Sequence, residues 1–196
     1  MMQKKTMGAL ALAGMLGSGM AGAQELSYNY VEGGLALYPD FGDQSLVGID
    51  TNARFAFTDE IFGLGGFQYL TDDVDVTTFH VGAGYRFPIQ RGTDVWGGLT
   101  IEYNEIDGTP ARNPFTGQRV TTSVDDTSLG IRGGVRHMVN RDLEVSGTAR
   151  LITGDLDYFG LRGSATYFLQ QNLGIVGSVD LFDGELGLIG SARYNF

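Results

Sequence analysis

The chain has 196 residues, of which 42% are hydrophobic and 31 are glycine, and this length and composition predict one folded domain rather than a disordered segment. Its 23 acidic residues outnumber the 13 lysines and arginines, and the formal charge of −10 argues against nucleic acid as a partner. The absence of cysteine excludes disulfide scaffolds, thiolate metal sites and cysteine nucleophiles.

The first 23 residues have the three parts of a secretory signal peptide. Lys4 and Lys5 precede an apolar run over residues 7–20, which ends at Ala21-Gly22-Ala23. A charged start, a short apolar stretch and small residues at the cleavage site are typical of such a peptide. We therefore expect residues 1–23 to be removed and residues 24–196 to form the exported domain. A buried N-terminal helix is the alternative.

The rest of the chain shows alternation of apolar and polar residues with a period of two, which predicts β-strands. Ten segments show it: 26–38, 47–57, 62–70, 77–87, 95–103, 129–135, 143–151, 159–167, 173–181 and 186–196. An even number of strands of about 11 residues is typical of an antiparallel up-and-down transmembrane barrel. The sequence thus predicts a ten-stranded all-β barrel with both termini in the periplasm, and an eight-stranded barrel is the alternative.

One face of these strands is charged, and we expect it to line the barrel lumen. The predicted lumen network comprises Glu32, Asp50, Arg54, His80, Arg86, Glu102, Arg132, Arg136, Glu144, Arg150, Arg162, Asp180 and Arg193. Gly, Ser and Thr lie between these long side chains and leave room for them in a narrow lumen. The opposite face carries almost no charge, as a lipid environment requires. A secreted β-sandwich or lipocalin-like barrel is the alternative.

Aromatic residues fall near both ends of the strands, which predicts two girdles at the membrane interfaces. One predicted girdle contains Phe55, Phe57, Tyr85, Phe87, Tyr167, Phe168, Tyr194 and Phe196. The other contains Tyr38, Tyr69, Phe79, Tyr103, Tyr158, Phe159 and Phe182.

The chain ends in Ala192-Arg193-Tyr194-Asn195-Phe196, and with the signal peptide and the strands it resembles the OmpA-like small outer-membrane β-barrels. The resemblance covers residues 24–196 and implies the cell outer membrane as location. It also implies that Tyr194 and Phe196 form the signal read by the barrel-assembly machinery. The run from Ser27 to Gly34 resembles the mature start of a signalling-linked barrel family of plant-associated bacteria.

The most favoured function is that of an integral envelope protein, either structural or a narrow porin-like channel for small solutes or ions. The alternative is a surface interaction protein that binds a protein partner through the long segment 105–126, and a barrel enzyme acting on lipid A or peptides comes third. Neither of the two histidines, His80 and His137, lies in an expected outer loop, and no catalytic residue, cofactor or metal is predicted. Lipid, lipopolysaccharide and the assembly machinery are the expected partners.

The expected outer loops are strongly acidic. Segments 39–45, 71–75, 105–126, 153–157 and 183–185 together hold thirteen Asp and Glu residues against Arg112 and Arg119. A ring of like charge at a pore mouth concentrates counter-ions. If the lumen conducts, we therefore expect a preference for cations.

Overall fold

The computed structural model describes residues 26–41, 44–72, 74–108, 111–112, 119–120 and 123–196. The predicted signal peptide, residues 1–23, lies outside the described residues and stays a prediction. No helix within the described ranges has the length and apolar character to cross a membrane.

The described part of the chain is built from twelve strands. They are β1 (Tyr30–Phe41), β2 (Gln44–Ala56), β3 (Ile61–Thr71), β4 (Val74–Gln90), β5 (Thr93–Gly108), β6 (Ala111–Arg112), β7 (Arg119–Val120), β8 (Ser123–Met138), β9 (Leu143–Ile152), β10 (Tyr158–Gln170), β11 (Leu173–Phe182) and β12 (Glu185–Asn195). The pair β6 and β7 forms a separate two-stranded sheet.

The other ten strands form a closed barrel in which each strand pairs with its neighbour in the chain, and β12 returns to pair with β1. Every pairing is antiparallel; between β1 and β12, for example, Glu32 lies opposite Arg193. The predicted up-and-down barrel with ten strands is confirmed, and the eight-stranded alternative is wrong. Closure satisfies the backbone hydrogen bonds of every barrel strand, which is the condition for a sheet to cross lipid.

Alternation divides the side chains between the two faces of the wall. Leu35 and Leu99 are 72% and 67% exposed on the outside, whereas their chain neighbours Ala36 and Thr100 are buried inside. Successive side chains of a strand point to opposite faces, so one segment supplies both the lipid-facing surface and the lumen lining. The glycine-rich strand β3 has Phe67 outside and Gln68 inside.

Short turns join most strands. At the hairpin between β11 and β12, Asp183 and Gly184 both have positive φ, 51° and 92°, as a two-residue turn of the type favoured by Asp-Gly requires. Between β8 and β9, the backbone N–H groups of Asp142 and Leu143 donate to Oδ1 of Asn140 at 2.8 and 3.0 Å. These local bonds fix the register of the strands that follow.

Two apolar clusters lie inside the barrel, one toward each end. The end that holds residues 26–29 and Phe196 is called here the inner end, and the end that carries segment 105–126 is the outer end. The inner apolar cluster contains Leu26, Tyr28, Phe62, Leu64, Trp96, Met138 and Phe168. The outer apolar cluster contains Ala36, Tyr38, Leu46, Leu70, Val76 and Ile189.

Four aromatic residues assigned to the girdles are inside the barrel instead. Phe168 belongs to the inner apolar cluster, and Phe182 contacts both Tyr38 and Tyr158 in the lumen near the outer end. They share the lumen phase of their strands, because each is an even number of residues from a charged lumen position. The girdle prediction is therefore wrong for these four residues, because nearness to a strand end does not determine which face of the strand a side chain is on.

Candidate functional site

The lumen between the two apolar clusters is filled by ion pairs. In the described part of the chain these pairs use six arginines and six carboxylates, which come from β1, β2, β4, β5, β8, β9, β10, β11 and β12. All twelve lie on the inward phase of their strands. Arginine suits this setting because it stays charged when removed from water and binds a carboxylate with two parallel hydrogen bonds.

The first group, called here the outer ion cluster, is centred on Asp180. This side chain is fully buried and accepts hydrogen bonds from Nη1 and Nη2 of Arg150, both at 2.8 Å, and from Nε of Arg162 at 3.0 Å. Tyr38 donates its hydroxyl to the same carboxylate at 2.6 Å. Arg162 then reaches across the lumen to Asp50, with two bonds of 3.0 Å. Strands β2, β9, β10 and β11 are thereby joined through one network.

The second group, called the inner ion cluster, is centred on Glu144. Arg136 donates to both of its oxygens at 2.9 and 3.0 Å, and Nη1 of Arg193 lies 3.2 Å from each of them. Arg193 also binds Glu32 on the adjacent strand β1. The backbone carbonyl of Ser27 accepts a bond of 2.7 Å from Nη1 of Arg136. This last contact fixes the segment before β1 inside the inner end of the barrel.

Two further ion pairs complete the network. Arg132 binds Glu102 with two bonds of 2.9 and 2.8 Å, and Thr100 donates its hydroxyl to the same carboxylate. Arg86 lies 3.3 Å from Asp94 near the inner end. Among the described residues these pairs have no bond to either ion cluster, so the lumen charge is neutralised locally rather than over long distances.

Arg54 and His80 are also in the lumen, as the alternation predicts, but neither belongs to an ion pair formed by the described residues. The guanidinium carbon of Arg54 lies 4.0 Å from the ring centre of Trp96 and 5.0 Å from that of Phe62. His80 packs over Gly66, where an added Cβ would come within 2.5 Å of the imidazole Cε1. The glycine therefore makes the space that the histidine ring occupies.

The space left between the side chains is small. The central cavity has a volume of about 100 Å³, and its lining includes Arg54, His80, Arg132 and Arg162. The inner apolar cluster and the outer apolar cluster lie toward the two ends of the lumen. The cavity can therefore hold a few water molecules or a small solute, and it is far smaller than an open porin channel.

Several residues of the network are not predicted from the sequence. Asp94 lies just before the predicted segment 95–103, although it is an even number of residues before Glu102 on the same strand. Tyr38 and Gln68 also contact the outer ion cluster, with the side-chain amide of Gln68 donating to Asp50 at 3.2 Å. Extending the alternation to the ends of β1 and β5 would have found Tyr38 and Asp94.

The residues proposed as an assembly signal lie on the lipid-facing side of β12 and at the end of the chain. Tyr194 is 47% exposed and Phe196 is 59% exposed, and the ring of Phe196 stacks on Phe55 at 6.5 Å. Both aromatic residues are thus accessible from outside the barrel wall.

The described ranges contain no group of three or more His, Asp or Glu residues arranged to hold a metal ion. His137 lies at the inner end, where its Nδ1 is 2.7 Å from the hydroxyl of Thr93, and His80 lies in the central lumen. The two histidines therefore belong to separate sites.

Comparison with known families gives a match to the outer membrane protein beta-barrel domain family over residues 9–158. The chain belongs to this family. The protein is therefore an integral β-barrel of the cell outer membrane with a lumen filled by arginine and carboxylate side chains. Comparison with the sequences of curated proteins gives no match.

Among solved structures, the barrel resembles the KdgM porin, with 10% identity over 85% of this chain and 99% of the porin, and a TM-score of 0.49. The N-terminal β-barrel domain of Pseudomonas aeruginosa OprF is 14% identical over 86% of this chain and 98% of its own, with a TM-score of 0.46. Ail, the attachment invasion locus protein of Yersinia pestis, is 16% identical over 85% of this chain and 97% of its own, with a TM-score of 0.47.

Proposed function

We propose that the protein is a structural component of the outer membrane whose barrel is closed to solutes in its resting state. The observation that carries this proposal is the filling of the lumen. Ion pairs cross it at mid-height, and an apolar cluster lies on each side of them. A solute would have to displace both the paired charges and the packed aromatic rings.

Conductance of the purified protein in a planar lipid bilayer tests this proposal. We expect no stepwise conductance, whereas an open porin added to the same bilayer provides the positive control. Stable current steps from the wild-type protein would contradict the closed barrel and support the narrow channel. In that case, reversal potentials in a KCl gradient would show whether the acidic outer loops select cations.

A role in surface interaction is the second candidate, and one feature of the barrel favours it. Strands β4, β5 and β8 have 16 or 17 residues, whereas the other barrel strands have 10 to 13. Their pairing continues to Asp107 and Ser123, and β6 and β7 pair beyond it. Segment 105–126, expected to be a loop, therefore begins and ends as paired strands that extend the outer end on one side.

Shortening this extension tests the second candidate. Replacing residues 109–122 with an Asn-Gly turn should leave the barrel folded, because the ten barrel strands lie outside the replaced part. A Gly-Ser segment of the original length is the matched control. If cells with the shortened protein attach to host cells or matrix as well as wild-type cells do, the surface-interaction role is excluded.

The same geometry supports a role without catalysis. Of the residues that an enzyme could use, His80 is enclosed in the lumen and His137 is engaged with Thr93 at the inner end. Incubation with lipid A and with peptide substrates, followed by mass spectrometry of the products, tests this part of the proposal. Turnover of either substrate would overturn it.

A further inference from the structure

One arginine of the lumen has no carboxylate partner among the described residues. The ion pairs of the described residues use six arginines and six carboxylates, and Arg54 is a seventh arginine on the same inward face. Within those residues, Nη1 of Arg54 is inaccessible to solvent and has no hydrogen-bond acceptor. A buried cation without a counter-ion is unfavourable, so this position calls for a negative partner.

The surroundings of Arg54 supply aromatic faces but no anion. Its guanidinium carbon lies 4.0 Å from the ring centre of Trp96, 5.0 Å from Phe62 and 5.5 Å from Tyr28. Ring faces stabilise a guanidinium only in part, because they carry no net charge. They also leave its Nη1 without an acceptor among the described residues. In the same cluster, Nε1 of Trp96 is buried with no partner among the described residues.

Arg54 also lines the central cavity, which has an excess of positive charge. Among the described residues, six arginines contribute to the lining, together with the two carboxylates of Glu32 and Asp50. The remaining carboxylates of the network, such as Asp180 and Glu144, are not part of the lining that the described residues form. The accessible wall of the cavity is therefore more positive than the lumen as a whole.

We propose that the central cavity binds a small anion against the guanidinium of Arg54, such as a halide, a small oxyanion or a small carboxylate. A volume of about 100 Å³ accommodates such an ion with one or two waters. The anion neutralises the charge of the seventh arginine. The site is independent of whether the barrel conducts.

The chain provides its own reporter for this site, because Trp96 is its single tryptophan. Iodide is a small anion that quenches tryptophan fluorescence on contact. We expect iodide to quench Trp96 of the detergent-solubilised protein in a saturable manner at constant ionic strength, and chloride to displace it. Caesium, a cationic quencher, should give no saturable component. Competition by phosphate and acetate then distinguishes oxyanions and carboxylates from halides.

Matched substitutions locate the site. Arg54→Gln removes the guanidinium at the cavity and should raise the iodide concentration for half-maximal quenching at least tenfold. Arg91→Gln removes the same charge from an exposed turn and should leave quenching unchanged. If Arg54→Gln does not fold, the wild-type protein still tests the proposal, because a bound anion raises the unfolding temperature with chloride concentration at constant ionic strength.

Two results would overturn the proposal. Linear, non-saturating quenching of the wild-type protein, with an unfolding temperature independent of chloride, would show that no anion is bound. The second concerns Glu25, which directly precedes the described residues and is a possible counter-ion from the chain itself. If only Glu25→Gln gains saturable iodide quenching, the partner of Arg54 is that carboxylate and not a mobile anion.

Discussion

Replacing Asp180 with asparagine removes one negative charge from the centre of the outer ion cluster without changing the side-chain volume. The carboxylate accepts hydrogen bonds from Arg150, Arg162 and Tyr38. Arg162 keeps its two bonds to Asp50 in the variant, whereas Arg150 loses its carboxylate partner. Removing one member of a buried pair costs about 3–5 kcal/mol, because the other charge is left uncompensated. We expect Asp180→Asn to lower the free energy of unfolding by about that amount.

Urea unfolding in detergent micelles, followed by the fluorescence of Trp96, measures this loss. With a urea dependence of roughly 2 kcal/mol per M, a loss of about 4 kcal/mol shifts the midpoint by about 2 M. Asp155→Asn is the control, because Asp155 is exposed in the turn between β9 and β10. A surface substitution of this kind should change stability by no more than about 0.5 kcal/mol.

The double variant Asp180→Leu with Arg150→Met separates loss of charge pairing from loss of packing. Replacing both members of a buried pair by apolar residues of similar volume is often neutral. We therefore expect it to recover most of the stability that Asp180→Asn loses. If Asp180→Asn unfolds at the same urea concentration as the wild type, the ion cluster does not stabilise the barrel and the reasoning is refuted.

Three further predictions concern other parts of the barrel. Leu99→Arg places a charge on the lipid-facing surface and should cost about 2–4 kcal/mol in vesicle-embedded protein, whereas Asn172→Arg in an exposed turn should cost almost nothing; equal costs would refute the lipid-facing assignment. Phe196→Ser should reduce the folded protein recovered from cell outer membranes several-fold while refolding in detergent stays normal, and unchanged recovery would exclude an assembly signal at this residue. Gly66→Ala should lower the thermal midpoint, because its Cβ would lie 2.7 Å from a backbone carbonyl oxygen, whereas Gly163→Ala, with open space around its Cβ, should not; equal midpoints would contradict the close packing under His80.

The two faces of each strand could be predicted from the sequence because they depend on a local rule. Side chains alternate along a strand whatever the strand pairs with. In β5, Leu99 and Ile101 are therefore on the face opposite to Thr100 and Glu102. The same rule placed every charged residue of the predicted network inside the barrel. Counting the alternating segments gave the number of barrel strands, because each span in an up-and-down barrel is one segment.

For aromatic residues near strand ends, nearness to the end does not show whether the side chain faces lipid or the lumen. That depends on the alternation, which has to be followed to the last residue of the strand. Tyr38 and Phe182 lie at the outer ends of β1 and β11, where an interfacial girdle is expected, yet both side chains face the lumen. The inward phase decides their position, and the lumen can accept them because Gly187, on β12, has no side chain and lies against the ring of Tyr38.

The repeat of two residues along each strand is visible in the sequence, and it predicts both a membrane barrel and a lumen position for the charged residues on the inward phase. Which of these charges pair with one another depends on the folded barrel. Arg162 binds Asp50 at a separation of 112 residues, and Arg193 binds Glu32 at a separation of 161. Such contacts depend on closure of the sheet and on the stagger of its strands, which set the height of each side chain in the lumen. For the same reason, the sequence does not show that Arg54 lies among aromatic rings. Nor does it show that the other six lumen arginines bind carboxylates while Arg54 has no such partner among the described residues.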